Sequence, residues 1–220
     1  MANPPIDLIL FDLDGTLLDS RGDIAAAVNH ARAGLGRTPL SLATVNRFVG
    51  DGLLQLLERS FETIDPAVLR PAEELFRAHY AAHSLDTTRP YPGVIEALDA
   101  LRGTALAVVT NKPADFAAQM LATLGLRDRF RSVVGEGAVP EKKPHPAPFL
   151  KACAEADVPP ERALMVGDGP QDLSGGKAAG MRTCAVTFGF TPKEILEALR
   201  PDYSIGDMRE LPPLIDSLKH

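Results

Sequence analysis

Short apolar, β-rich runs alternate with helical stretches along most of this chain, and the alternation breaks once, between Leu17 and Pro90. The runs are residues 6–11, "ALAVV" at 105–109, "SVV" at 132–134, "ALMV" at 163–166 and "CAV" at 184–186. Helical patterns near 93–102, 114–125, 146–157 and 172–180 lie between them. Strand alternating with helix implies right-handed crossovers and a parallel sheet covered on both faces. Strands buried on both faces read as near-continuous apolar stretches, as these do.

The interruption reads as helix throughout. Ser20 with Asp23 three residues on predicts a capped helix start, and Gly34 with Gly36 predicts its stop. Ser41 starts a second helix in "SLATVNRF", and "VGDG" at 49–52 breaks it. "LLQLLERSFE" and "DPAVLRPAEELFRAHYAAH" continue as helix, bent or split at Pro71. The expected organisation is an α/β core of residues 1–18 and 88–220, with an all-helical insert at 19–87.

Composition narrows the partners. The chain has 220 residues, is 45% hydrophobic and carries a net charge of −6. That is enough apolar content for a core, and the acidic balance argues against nucleic acid or an anionic membrane as partner. The N-terminus lacks a basic region, and no stretch is long enough to span a bilayer. Cys153 and Cys184 read as reduced core residues. A cytoplasmic protein is expected, as a monomer or small homo-oligomer.

Polar residues collect after the strands. Asp12 and Asp14 follow the first run, with Asp19 close behind. Thr110 and Asn111 follow the second, Lys142 and Lys143 come some residues after the third, and Asp168 follows the fourth, with Asp172 beyond. In open parallel sheets, ligands bind beyond the carboxyl ends of the strands, so these residues converge at one edge. Like charges this close repel. A hard divalent cation removes that cost, and Mg²⁺ is held by carboxylates together with a substrate phosphate. A lysine and a threonine hydroxyl would serve the phosphate oxygens. Singly, each residue has a plainer reading: an Asp/Gly turn for "DLDGT", a helix N-cap for Asp172, a loop lysine for Lys143, a strand end for Thr110. Their joint order favours a site. An EF-hand, a phosphate loop in "LSGGKAA" and a metalloprotease pair at His79 and His83 each fail on missing residues, and the histidines read as a solvated helix face.

The set "DLDGTLLDS", Thr110, Lys143 in "KPHPAPF" and "GDGPQD" resembles the four motifs of the haloacid dehalogenase superfamily. The resemblance implies a Rossmann-like core with a helical cap over the site, and a Mg²⁺-dependent phosphatase acting on a small phosphorylated metabolite. It further implies Asp12 as nucleophile and Asp14 as acid and then base. The Asp12 carboxylate, the Asp14 backbone carbonyl and Asp168 would hold Mg²⁺, with Asp172 supporting the metal shell or Lys143. Thr110, Asn111 and Lys143 would bind the phosphoryl group. Gly169 departs from the family pattern, where many relatives carry Ser. "VGDGLLQLLERSF", "YPGV" and "VTFGFTPKEI" are similar to bacterial phosphoglycolate phosphatases, which makes phosphoglycolate the leading substrate. On that reading Gly50 of the cap would let backbone approach the ligand closely and Arg47 would pair with its carboxylate, which Asp51, if turned inward, would repel. A sugar or polyol phosphatase is the alternative. Mutases of the family carry a histidine where Ile24 stands, and dehalogenases lack the second acid. A catalytically silent phosphometabolite-binding module is the rival of another class.

Overall fold

The computed structural model describes residues 4–218, so residues 1–3 and 219–220 of the expected core segments lie outside it. Six parallel strands form the main sheet in the order β5-β4-β1-β6-β7-β8. They are β1 (Leu8–Phe11), β4 (Ala105–Pro113), β5 (Ser132–Glu136), β6 (Ala163–Gly167), β7 (Arg182–Val186) and β8 (Tyr203–Ile205). Helices α5 (Val94–Ala100), α6 (Ala114–Thr123), α7 (Ala147–Ala156), α8 (Pro170–Ala178), α9 (Lys193–Ala198) and α10 (Leu211–Ser217) accompany them.

The sheet has two buried faces, and β1 shows why its sequence is uniformly apolar. Ile9 and Phe11 enter one core cluster, where Phe11 meets Phe130 edge-on at 6.3 Å. Leu8 and Leu10 enter the other, with Phe149 and Met165. Successive side chains of a strand point to opposite faces, so a strand buried on both must be apolar at every position. β1 pairs with β4 on one side and β6 on the other. The chain winds outward in both directions from β1, so the crevice beyond its carboxyl end is the topological switch point.

A ribbon of two short antiparallel strands, β2 (Leu18–Asp19) and β3 (Arg89–Pro90), leads out of the core and back. Between them lie α1 (Arg21–Gly34), α2 (Leu42–Asn46), α3 (Leu53–Phe61) and α4 (Pro66–His83). Asp23 of α1 ties the two ends together. Its carboxylate accepts hydrogen bonds from the backbone N–H and hydroxyl groups of Thr87 and Thr88 at 2.6–3.0 Å. Burial pushes this carboxyl up, but the bonds from Thr87 and Thr88 outweigh it and hold it below the usual range.

Three expectations change here. Ser20 precedes α1, but its hydroxyl does not cap the helix. It donates to Asp14 instead, and Asp23 faces the re-entering strand. The capping box predicted from their spacing is therefore spent on the site and the ribbon. α4 runs unbroken through Pro71. Proline removes one backbone donor near the start of a helix that Asp65 caps at 2.9 Å, a small loss against the burial of Leu69, Phe76 and Tyr80. Finally, β4 continues past Val109 to Pro113, with a register shift against β5 in that extension. Ser41 caps α2 as predicted, accepting from the Thr44 N–H at 3.1 Å, and both cysteines are free and buried. Among the described residues no helix is long and apolar enough to cross a membrane.

Candidate active site

The switch point gathers the acids. Asp12 leaves β1, Asp168 leaves β6 and Asp172 lies in the first turn of α8; carboxylate oxygens of all three lie within 4.8 Å of one another. The tight turn after Asp14 depends on Gly15, whose φ of +90° suits glycine and where a Cβ would stand 2.3 Å from the Asp168 carboxylate. Asp168 accepts from the Thr16 hydroxyl at 3.1 Å and the Phe190 N–H at 2.7 Å. Asp172 sits at the third position of α8 rather than at its N-cap, and reaches back to the Gly169 N–H at 2.9 Å.

Lys143 is the counter-charge. Its side chain is 1% exposed. Its Nζ donates to Asp12 at 2.8 Å, Asp172 at 2.6 Å and the Val109 carbonyl at 2.7 Å, which uses all three ammonium protons. Burial would lower the Lys143 ammonium, but Asp12 and Asp172 raise it overall. One cation does not balance three acids. Burial, then Asp12 and Asp172, push the Asp168 carboxyl well above its usual range. Burial also lifts Asp172; Lys143 opposes that and Asp12 reinforces it, and the result is about 7. This uncompensated charge, in an all-oxygen donor set of hard carboxylates, fits a bound Mg²⁺.

The Asp14 carboxylate is outside this cluster. It accepts from the Ser20 hydroxyl at 2.6 Å and from Lys112 Nζ at 3.0 and 2.9 Å, one bond to each oxygen. Lys112 Nζ also donates to the Tyr80 hydroxyl of α4 at 2.8 Å and lies 4.6 Å from the centre of that ring. Burial would push the Lys112 ammonium down, but Asp14 and then Tyr80 hold it above its usual value. Burial lifts the Tyr80 phenol to about 12. Neither Lys112, Tyr80 nor Ser20 was singled out as a site residue from the sequence. The signal for Lys112 was available: the two-residue period of a strand relates it to Thr110.

A cavity opens above these groups. Asp12, Asp14, Thr110 and Asp168 line its core side, and Ile24, Val49, Leu53, Leu56 and Phe76 line it from the insert. Gly50 also lines it, and its carbonyl accepts from Asn111 Nδ2 at 3.0 Å. Asn111 was expected to bind phosphate, and the structure gives it other partners. Its amide donates to the Gly50 and Lys143 carbonyls, and its carbonyl accepts from the Lys143 N–H at 2.9 Å. Both amide protons are thus engaged in holding the Lys143 loop and the insert. Arg47, expected at the substrate, lies outside the cavity. It follows the last residue of the short helix α2 and is exposed to solvent. Asp51 does not face inward either; it pairs with Arg59 at 2.5 Å. At Gly169, a Cβ would stand 2.1 Å from the Gln171 amide. Gln171 fills the space that a side chain at position 169 would occupy.

The order of the motifs and their meeting at the switch point are those of one family. The family model for haloacid dehalogenase-like hydrolases matches residues 9–186. This chain belongs to the haloacid dehalogenase-like hydrolases. It is 38% identical to a phosphoglycolate phosphatase of Pseudomonas putida KT2440 over 214 residues, covering 94% of this chain and 78% of that protein. It is 37% identical to one of Nitrosospira multiformis, over 96% of each chain. A crystal structure described as a predicted phosphoglycolate phosphatase from Haemophilus somnus 129PT superposes with a TM-score of 0.90 at 30% identity, covering 95% of this chain and 97% of that one. The expected likeness to phosphoglycolate phosphatases, which are phosphoric monoester hydrolases, and the expected fold class are thereby met.

Proposed function

We propose that this enzyme hydrolyses a small phosphate monoester, phosphoglycolate first among the candidates, through an aspartyl-phosphate on Asp12. The observation that carries the reading is the separation of the doublet's two acids. Asp12 is fixed by Lys143 beside the acid cluster, while Asp14 is turned to the cavity wall beneath the insert. This separation supports a role for Asp12 at phosphorus and for Asp14 at the leaving group. The names of the relatives above support the choice of phosphoglycolate.

In this scheme a carboxylate oxygen of Asp12 forms a bond to phosphorus as the ester P–O bond breaks. Asp14 gives its proton to the departing alkoxide, which leaves as glycolate. Asp14 then takes a proton from water as the water oxygen bonds to phosphorus. The Asp12–phosphorus bond breaks and inorganic phosphate is released. Thr110 offers its hydroxyl to the equatorial oxygens and Lys143 its fixed positive charge beside Asp12, where charge grows in the transition state. Asp12, Asp168 and the Asp14 backbone carbonyl would hold Mg²⁺, with Asp172 behind them, and the ion would supply charge neutralisation at the phosphoryl oxygens. Residues 19–87 act as the cap and residues 1–18 and 88–220 as the catalytic core.

The test is phosphate release from phosphoglycolate by purified protein, with Mg²⁺ and with EDTA. Release that needs Mg²⁺ supports the reading. Absence of release from phosphoglycolate and from a generic aryl phosphate would leave a silent binding module.

A further inference from the structure

The cavity has a polar floor and an apolar roof, and the two differ in what they can offer a leaving group. The roof is Ile24, Leu53, Leu56 and Phe76. Among the described residues that line the cavity, Lys112 is the only cationic side chain. It is 5% exposed and stands where floor and roof meet. Asp14 holds it from the core and Tyr80 from the cap. Asp14 keeps a second donor in Ser20, so Lys112 can shift one of its bonds without leaving that carboxylate unsupported.

We infer that Lys112 is the specificity-determining residue of this site, and that with Tyr80 it receives a carboxylate carried by the leaving group. The inference rests on the phosphatase reading above and narrows its substrate class to short phosphate esters bearing a carboxylate beside the ester carbon. In such a molecule the carboxylate carbon is two bonds from the leaving oxygen. Lys112 Nζ is one hydrogen bond from the acid that serves that oxygen. Distance and charge therefore match. An apolar roof makes a buried carboxylate costly unless it is paired, and Lys112 is the partner at hand. A neutral ester of the same size provides no such anion and leaves Tyr80 and Lys112 as they are.

The experiment compares kcat/KM for phosphoglycolate and for neutral hydroxyethyl phosphate in wild type, Lys112→Met, Lys112→Arg and Tyr80→Phe, with thermal melts of each. Wild type should prefer phosphoglycolate. Lys112→Met should lose on the order of 10- to 100-fold on phosphoglycolate, the worth of a charge-assisted bond, and far less on the neutral ester. Lys112→Arg should restore part of the preference. Equal losses on both esters in Lys112→Met would overturn the inference, because Lys112 would then serve Asp14 alone. A preference that survives intact in Lys112→Met would overturn it too, while leaving the phosphoglycolate reading standing. A wild type without preference would instead remove the phosphoglycolate reading itself. If Lys112→Met fails to fold, Tyr80→Phe decides: the preference should shrink several-fold through KM, and an unchanged preference contradicts the inference.

Discussion

Two buried lysines sit on the two acids of "DLDGT", and they are held differently. Lys143 makes all three of its bonds within the core, to Asp12, Asp172 and the Val109 carbonyl. Lys112 divides its bonds between Asp14 of the core and Tyr80 of the cap. The first arrangement is closed on itself and has no capacity left for a leaving group. The second spans the seam between two regions and can exchange a partner. Floor chemistry common to every phosphate ester, and seam chemistry particular to one, are thus built from the same residue pair in two settings.

The comparison breaks most sharply at Asp12. Asp12→Asn removes the nucleophile and should lower kcat by at least about ten-thousand-fold on any ester, with the melt close to wild type. Appreciable turnover by that variant would exclude the covalent route. Next is Lys143→Met, expected to cost about 100- to 1,000-fold as the loss of a fixed positive charge at the transition state does. The loss should be the same on phosphoglycolate and hydroxyethyl phosphate, in contrast to Lys112→Met. It should also destabilise the fold by about 3–5 kcal/mol, since Asp12 and Asp172 stay buried without their cation.

The acid cluster predicts a pH effect of defined sign in EDTA. The Asp172 carboxyl is raised to about 7 in the folded protein, and Asp168 is raised as well. An unfolded aspartate ionises near pH 4. Above about pH 4 the folded state retains protons that the unfolded state has released, so these two groups make stability fall as pH rises, Asp172 until about pH 7. Asp19 and Asp23 are shifted down, and their contributions fade only below about pH 4; His79, which burial and then His30 and His83 shift down from 6.5, opposes the fall within that window. Mg²⁺ should raise Tm more at pH 8 than at pH 5, read by calorimetry. An equal Mg²⁺ effect at both pH values would mean the cluster is not the metal site. The smallest effect belongs to Arg47→Ala. The side chain is exposed and outside the cavity, so kcat/KM on either ester should stay within about two-fold of wild type.

The floor was legible in the sequence and the seam was not. Asp12, Thr110 and Asp168 each follow an apolar run that only a buried strand explains, and the rule that ligands bind at strand ends brings them together. Lys143 and Asp172 followed from spacing and the resemblance. The seam depends on contacts between distant segments, Lys112 with Tyr80 and Asn111 with Gly50, and helical periodicity marks Tyr80 only as apolar. Ser20 misled because its position fits a helix cap, while a neighbouring carboxylate claims its hydroxyl. Three-residue β8 at the sheet edge carries too short a pattern to read.

The claim that the floor acts alike on every ester is tested most directly by acid-quenching the wild-type enzyme during turnover of ³²P-labelled phosphoglycolate and ³²P-labelled hydroxyethyl phosphate. Peptide mapping should find the label on the segment containing Asp12 with both esters, with slower labelling from the neutral one, and no label in Asp12→Asn. Label on another segment, or on different segments for the two esters, would contradict the account.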